Sequence, residues 1–327
     1  MRRTVGVAVV FVILLAACSD GEPAGPPASE PASVATTPPG GAAPLPTART
    51  EVAGAAWEGR IVVVGGLTAA GVASARVDVY DPVTDRWESG PSLPLGLHHV
   101  GLATLGDRLY LAGGYHNVAP SSEWLAQSGV LSLGPGERVW REEPPLAGAR
   151  GGLAVAAVGD RLVAVGGSGA AGVLRRTEVY LAGSDGWRPG PDLAEPRDHL
   201  AAASSGGRIY AIAGRQGSLE SNLATVESWD PGSTDGWRVE PRLNDTRGGT
   251  SASEAGGRPC VAGGEEPQGT IASVECLDET GWQRLADLQS PRHGLAVVGL
   301  QHRLHVVGGG PQPGLFVSPA HEVFDIP

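Results

Sequence analysis

The chain contains no lysine, and all 24 of its basic residues are arginines. It therefore has neither the amine that forms Schiff bases nor the lysine of a Walker-type phosphate loop, which excludes both chemistries. Acidic residues outnumber the arginines by 35 to 24, so the 327-residue chain has a formal net charge of -11. We expect no nucleic acid partner, since nucleic acid recognition depends on a basic surface.

The apolar run near the N-terminus is too short to cross a membrane as a helix. It extends over thirteen residues, from Val5 to Ala17, whereas a spanning helix needs about 20. Its position after Arg2 and Arg3 is typical of a secretory signal. The run ends in Leu15-Ala16-Ala17-Cys18, which resembles the lipobox of bacterial lipoproteins and implies acylation of the Cys18 sulfur. An ordinary signal peptide with an incidental cysteine is the alternative.

A stretch rich in proline, alanine and glycine follows this cysteine. It has hardly an apolar side chain, so it cannot bury enough surface to fold. We predict a signal peptide over residues 1–17, a tether over 18–46 and a folded domain over 47–327. The protein is then extracytoplasmic, in the periplasm or at the cell surface, and Cys18 attaches it to a bacterial membrane.

Glycine is abundant, with 50 residues, and it marks an internal repeat. Pairs of small residues recur at intervals of 45 to 53 residues, at Gly65-Gly66, Gly113-Gly114, Gly166-Gly167, Ala213-Gly214, Gly263-Gly264 and Gly308-Gly309. An arginine lies five residues before every pair. A second arginine lies sixteen residues before five of the six pairs, at Arg49, Arg150, Arg197, Arg247 and Arg292. Intervals of this length predict propeller blades.

Each repeat divides into four short strands. A run of small residues is followed by a strand ending in the glycine pair, a third strand with an acidic-x-aromatic element such as Asp78-Val79-Tyr80, and a fourth strand with a tryptophan such as Trp87. Small residues fit the crowded innermost position, and aromatic residues fit the wide outer part of a blade. The pattern resembles the kelch repeat over about 280 residues. The resemblance implies an all-β fold, a six-bladed β-propeller with four-stranded antiparallel blades, and implies almost nothing about function.

The last repeat lacks a fourth strand after Phe324. The tail from Val34 to Ala43 is a candidate to supply that strand and close the ring. Pro38, Pro39 and the glycines after them are weak strand formers, so we expect a poor latch. The alternative is an open edge that the prolines protect.

Cys260 and Cys276 fall on adjacent strands of the fifth repeat. If Gly264 faces Ala272 across the connecting loop, the antiparallel register places the two cysteines opposite each other. An exported protein meets oxidising conditions, so we predict a disulfide, with free buried thiols as the alternative.

The kelch resemblance also implies a recognition surface. In that family the loops after the glycine pairs and the loops leading into the inner strands share one face. Trp124 lies in the longest of these loops, and its exposed ring would stack on a sugar or anchor a partner, unless it folds over its own loop. The other candidate ligand-binding residues are His99, His116, Arg175, Arg176, Arg197, His199, Arg215, Asn222, Arg247 and Glu265.

Two of these expectations have structural alternatives. Arg197 and Arg247 belong to the recurrent arginines, which are more often braces between loops and neighbouring blades than ligand contacts. Four histidines cluster near the channel entrance and are metal-ligand types, but repeats of this family often carry histidine there, so we predict neither a metal nor a cofactor. These histidines are His98, His99, His199 and His293.

We predict a non-catalytic binding protein that holds a carbohydrate, peptide or protein partner on the loop face. Two kelch enzymes are the alternatives. A galactose-oxidase-like enzyme would need copper, tyrosines and a tyrosine–cysteine crosslink, but the available cysteines look mutually paired. An enzyme resembling a sialic acid mutarotase (epimerase) would need a carboxylate and an arginine near the channel, and Glu254 and Arg215 could serve through general acid–base catalysis.

Overall fold

The structure is a computed structural model that describes residues 40–119 and 123–326. Six four-stranded antiparallel sheets form the blades of a β-propeller, which confirms the predicted fold class. Inner strands of consecutive blades contact each other, and the inner strand of blade six contacts that of blade one, so the ring is closed. Within these ranges, no helix is both long and apolar enough to span a bilayer.

The strands recur in the predicted order from the channel outward. The inner strands are Ala53–Trp57, Gly101–Leu105, Ala154–Val158, Ala201–Ser205, Ser251–Ala255 and Ala296–Leu300. The second strands are Arg60–Val64, Arg108–Ala112, Arg161–Val165, Arg208–Ile212, Arg258–Ala262 and Arg303–Val307. The third strands are Val77–Asp81, Val130–Leu133, Thr177–Leu181, Val226–Trp229, Val274–Asp278 and His321–Asp325.

The outer strands are shorter and more exposed. In blades one to five they are Arg86–Ser89, Arg141–Glu143, Trp187–Pro189, Arg238–Glu240 and Gly281–Arg284. Small hairpins decorate three loops, formed by Tyr115–His116 with Leu125–Ala126, Ser168–Gly169 with Gly172–Val173, and Glu265–Glu266 with Gly269–Thr270. A single 3-10 turn covers Leu219–Ser221 in the described ranges.

The N-terminal segment supplies the fourth strand of blade six. Gly40–Gly41 pairs antiparallel with the strand His321–Asp325, so the edge is not left open. The pairing is only two residues long, and Ala43 is held in addition by side chains of both neighbouring blades. Its carbonyl accepts from Nε1 of Trp87 at 2.8 Å and lies 3.1 Å from Nδ1 of His321. Residues 34–39 of the expected latch lie outside the described residues.

The small residues of the inner strands allow the blades to approach closely around the channel. A Cβ added at Gly101 would lie 2.3 Å from Cγ2 of Val155, and one at Gly299 would lie 1.7 Å from the carbonyl oxygen of Glu254. Larger side chains at these positions would force neighbouring blades apart.

The recurrent tryptophans join each blade to the one before it. Their indole N–H groups donate to backbone carbonyls of the preceding blade at 2.8–2.9 Å, in the pairs Trp140–Pro91, Trp187–Pro144, Trp237–Pro191 and Trp282–Pro241. Trp87 makes the same contact with Ala43. A buried indole is therefore satisfied at every such position, which explains the recurrence of this residue.

The recurrent arginines upstream of the inner strands are buried in ion pairs. Each has at most 1% of its surface exposed and pairs with the acidic residue of the acidic-x-aromatic element in its own blade. The pairs are Arg49–Asp78, Arg150–Glu178, Arg197–Glu227, Arg247–Glu275 and Arg292–Glu322. We call them the blade clamps. Each clamp therefore braces elements of one blade, whereas the sequence interpretation placed the braces between loops and neighbouring blades.

Cys260 and Cys276 are joined in a disulfide. They face each other across the second and third strands of blade five, at the register that the sequence count predicts. Both residues are fully buried, so the bond links two strands inside one blade and lies away from the loops.

Candidate binding site at the channel mouth

The two predicted sets of loops lie on one face of the propeller. In every blade an isolated β-bridge joins the segment leading into the inner strand to the loop after the glycine pair. The bridges are Thr50–Leu67, His98–Tyr115, Gly151–Ser168, Asp198–Arg215, Gly248–Glu265 and His293–Gly310. We call this side the loop face.

A ring of backbone hydrogen bonds surrounds the channel on the loop face. Its members are the equivalent residues of the six blades, Glu51, His99, Gly152, His199, Gly249 and Gly294, which we call the mouth ring. From His99 onward, each N–H donates to the carbonyl of the member in the preceding blade, at 2.8–3.2 Å. The ring closes through the N–H of Val52, which donates to Gly294 at 3.2 Å.

All six members of the mouth ring have left-handed backbone conformations, with φ between 49° and 63°. Glycine adopts this conformation freely, but a residue with a Cβ loses roughly 1 kcal/mol or more. Glu51, His99 and His199 nevertheless occupy three of the six positions. Strain of this kind persists where the side chain has a role, so these three residues indicate a functional site.

Charged and aromatic side chains link into one network above the ring. Nε2 of His99 lies 3.1 Å from Oε2 of Glu51, and Nδ1 of His293 lies 3.2 Å from Oε1 of the same carboxylate. Nδ1 of His199 lies 2.8 Å from Oδ1 of Asp198. The rings of His99 and His199 then meet at 4.7 Å between centroids.

Arg215 and Glu265 complete the network on the side of blades four and five. Nη1 of Arg215 donates to Oε1 of Glu265 at 2.8 Å, and its Nε lies 3.5 Å from Oδ1 of Asp198. Nδ2 of Asn222 donates to the Glu265 carbonyl at 2.6 Å. Oε2 of Glu265 lies 3.6 Å from Nδ1 of His293. The same nitrogen contacts Glu51, so the network is closed.

Burial and pairing fix the charges of this network. Burial opposes ionisation of Glu51, but His99 and His293 outweigh it and hold the pKa of the carboxyl well below its usual value. Burial also lowers the pKa of His293, yet Glu51 and Glu265 overcome this effect and raise it. Burial lowers the pKa of His98 to about 4 and that of His99 well below 6.5, despite the Glu51 charge. His98 and His99 are therefore neutral at pH 7.

Glycines make room for the large side chains. A Cβ at Gly151 would lie 2.3 Å from the ring of Tyr115, whose hydroxyl crosses to blade three and donates to the Ser168 carbonyl at 2.9 Å. A Cβ at Gly294 would lie 2.7 Å from Cδ of Glu51. The large and small residues of neighbouring blades are thus complementary around the mouth.

Trp124 packs against the network and reaches solvent at the same time. Its ring lies 4.6 Å from that of His98, 5.0 Å from that of His99 and 5.6 Å from that of Tyr115, between centroids. It remains 41% exposed. The ring therefore packs on the network and still presents apolar surface at the mouth.

A cavity of about 100 Å³ lies at the mouth ring, lined by Glu51, His99, His199 and small residues of the inner strands. A second cavity of about 320 Å³ follows along the inner strands and is lined by Ser253 and Glu254 among small apolar residues. The propeller axis is therefore a channel with its charged groups concentrated at the loop face.

The structure brings together six of the predicted ligand-binding residues, namely His99, Trp124, His199, Arg215, Asn222 and Glu265. Arg197 and Arg247 lie in the blade clamps instead. Arg175 pairs with Asp192 at 3.3 Å on the exposed surface, Arg176 is also exposed, and Nδ1 of His116 lies 2.8 Å from the Gly96 carbonyl. Cys18 lies outside the described residues.

The residues of the alternative enzymes are not assembled. Glu254 accepts from the backbone N–H of Gly257, in the hairpin turn at the far end of its inner strand, whereas Arg215 lies on the loop face. Cys260 and Cys276 bond to each other and not to a tyrosine. Over residues 40–119 and 123–326, no group of three or more histidine, cysteine or acidic residues is arranged to hold a metal ion.

Sequence reasoning did not select Glu51, His98, Asp198 and His293 as ligand-binding residues. A signal for one of them was present in the repeat. The position two residues after the recurrent arginine is glycine in three blades, and Glu51, His99 and His199 replace it in the others. A large polar residue at a position that otherwise takes glycine is a stronger indication than residue type alone.

Comparisons with known proteins agree with this architecture. The family model of the kelch motif matches residues 48–94 and 196–244, in blades one and four. Kelch-like protein 34 of Homo sapiens is 41% identical over 96 residues, covering 28% of this chain and 14% of that protein. Kelch-like protein 35 of Mus musculus is 31% identical over 104 residues, covering 32% and 16%. The matches thus span less than a fifth of these relatives.

Among solved structures, the one described as the structure of YjhT superposes with a TM-score of 0.71 at 13% sequence identity. The match covers 86% of this chain and 95% of that chain, so the two share the fold over nearly the whole propeller. The chain is therefore a closed six-bladed β-propeller in which two blades match the kelch motif.

Proposed function

We propose that this propeller is an extracytoplasmic binding protein that holds its partner at the channel mouth of the loop face. The observation that carries the proposal is the replacement of glycine by Glu51, His99 and His199 in the mouth ring, where each side chain is retained against backbone strain. These three residues do not stabilise a blade in the way that the blade clamps do. Their side chains join Arg215 and Glu265 in one network, and an exposed tryptophan packs against the His99 side of it, which is the composition of a recognition site.

Binding fits this geometry better than the mutarotase-like reaction. The carboxylate and the arginine that such a reaction would use, Glu254 and Arg215, lie at opposite ends of the inner strands and cannot act on one substrate group. At the mouth, the carboxylates are already paired with arginine or histidine. Paired and rigid groups orient a ligand well.

The N-terminal sequence supports the location in this proposal. A lipid on Cys18 would attach the protein to a bacterial membrane, and the part of the predicted tether that precedes the Gly40–Gly41 strand would hold the propeller away from it. Incorporation of a labelled fatty acid, lost in Cys18→Ser, checks this part separately.

The partner is a carbohydrate, a peptide or a protein, and Trp124 is its main apolar contact. We expect Trp124→Ala to weaken binding at least tenfold, because the exposed ring lies directly over the mouth network. Glycan and peptide arrays probed with the purified protein provide the measurement. Trp57→Ala is the matched control, since the indole of Trp57 donates to Asp107 in turns on the opposite face. Equal binding by wild type and Trp124→Ala to every partner found would refute the proposed site.

A further inference from the structure

The side chain of His98 is not used by the fold in the way that its neighbours are. It is fully buried beneath Trp124, and in the described part of the chain no group forms a hydrogen bond with its Nε2. A buried polar atom without a partner carries a free-energy cost, so such atoms call for a physical reason. The contacts of His98 on its other side supply one.

The hydrogen positions on this side follow from Glu51. Nε2 of His99 lies 3.1 Å from Oε2 of the ionised carboxylate, which would repel a lone pair there, so this nitrogen carries the ring hydrogen. Because His99 is neutral, its Nδ1 then carries a lone pair. Nδ1 of His98 lies 2.6 Å from that atom and must be the donor. His98 is neutral too, so its Nε2 is left with a lone pair.

Glu51 and His99 therefore position His98 as a hydrogen-bond acceptor. Each step of the relay also polarises the next imidazole, which strengthens the acceptor at its end. Asp198 and Glu265 already pair with His199 and Arg215. The acceptor lies beneath the partly exposed ring of Trp124, so a ligand reaches it only by displacing that ring.

We infer that the mouth recognises a neutral sugar, whose hydroxyl donates to Nε2 of His98 while its apolar face packs on Trp124. This inference rests on the proposed function and narrows its ligand class. A hydroxyl fits because it donates to this lone pair without bringing a charge into a buried site. A sugar ring combines such hydroxyls with the flat C–H face that an aromatic ring accepts.

The test uses methyl glycosides of glucose, galactose, mannose and N-acetylglucosamine, with affinities from NMR titration of the full folded chain. We expect at least one of them to bind the wild type. His98→Phe keeps the packing against Trp124 and Tyr115 but removes the acceptor, and it should lower the affinity at least tenfold. His98→Gln restores an acceptor and should recover part of the loss. His116→Phe, in the loop that carries Trp124, is the matched control and should change the affinity less than twofold.

Deoxy sugars distinguish a hydrogen bond from a packing effect. The deoxy analogue that lacks the donating hydroxyl should bind the wild type as weakly as the parent sugar binds His98→Phe, and it should lose nothing further in that variant. If the deoxy sugar and His98→Phe each lower the affinity and the two effects multiply, the proposed hydrogen bond is wrong. It is also wrong if a folded His98→Phe protein keeps wild-type affinity.

The outcomes also separate this inference from the proposed function. If no glycoside binds but an array partner depends on Trp124, the neutral sugar is wrong and the binding site stands. If a sugar binds and neither Trp124→Ala nor His98→Phe changes its affinity, the neutral-sugar inference and the proposed binding site are both wrong.

Discussion

The blade clamps and the channel mouth use the same residue types in opposite ways. In the clamps, one arginine and one carboxylate repeat in five blades with the same partners. At the mouth, six equivalent positions carry three different residue types, and contacts such as Glu51–His99 and Arg215–Glu265 cross from one blade to another. Buried charged pairs that recur from blade to blade maintain the fold, whereas buried charged residues that depart from the repeat mark a recognition site.

The energetics of the two regions differ accordingly. In the clamp of blade four, the arginine is held by several bonds at once. Nη1 of Arg197 donates to the carbonyls of Ala213 and Thr225 at 3.1 and 3.0 Å, and Nη2 donates to Glu227 at 2.7 Å. Burial lowers the pKa of Arg49 to about 10, although Asp78 partly offsets the effect, so the guanidinium stays charged at pH 7. The mouth ring instead holds Glu51, His99 and His199 in left-handed backbone conformations, which are unfavourable for residues that have a Cβ.

Breaking a clamp should have the largest effect on stability. Arg247→Ala removes the only side chain that pairs with Oε1 of Glu275 among the residues described and leaves that carboxylate buried. We expect a loss of about 3–5 kcal/mol in the free energy of unfolding, measured in urea. Arg60→Ala is the control, because Arg60 is 45% exposed and 3.5 Å from Glu88, and it should cost less than about 1 kcal/mol. Equal losses in the two variants would show that the clamp does not act as described.

Acid should weaken the seam between blades six and one. Burial lowers the pKa of His305 to about 3 and that of His321 to about 4, while both titrate near 6.5 in the unfolded chain. Stability is thus fully present above pH 6.5 and falls as the pH drops toward the folded values. At pH 5 the loss is about 2 kcal/mol for each histidine.

Unfolding in urea at pH 7 and pH 5 measures this loss. The double variant His305→Gln with His321→Gln should lose about 4 kcal/mol less than wild type over that interval. His302→Gln changes an exposed histidine of the same blade and should behave as wild type. An unchanged pH dependence in the double variant would contradict the assignment of neutral histidines to the seam.

The fold could be predicted because its signals are repeated. Glycine pairs, tryptophans and arginines at fixed offsets each occur in five or six blades, and each has a local reason in the structure, such as the indole bond of Trp282 to Pro241. The register of Cys260 and Cys276 follows from strand geometry alone. The latch could be predicted in position but not in strength, because the contacts that hold Ala43 come from Trp87 and His321, distant in sequence.

The site could be predicted only in part, because it depends on single residues that meet across blades. Trp124 and Arg215 were found from loop position and residue type. Glu51 precedes the inner strand of blade one, and its partner His293 precedes that of blade six, at the opposite end of the chain. No spacing in the sequence connects the two, since ring closure alone brings them together.

Removing strain from the mouth should have the smallest effect on stability and a large effect on binding. His199→Gly places glycine at a left-handed position, as in the equivalent Gly152 and Gly249, and loses the contact with Asp198. The gain of roughly 1 kcal/mol from the backbone and the loss of the hydrogen bond should nearly cancel. His199→Ala loses the same contact but keeps the strain, so it should unfold about 1 kcal/mol more easily than His199→Gly in urea. Both variants should bind the partner at least tenfold more weakly, because His199 contacts His99 and Asp198 in the network. If the glycine and alanine variants are equally stable, the backbone of the mouth ring is not strained. The contrast between the mouth ring and the blade clamps then loses its basis.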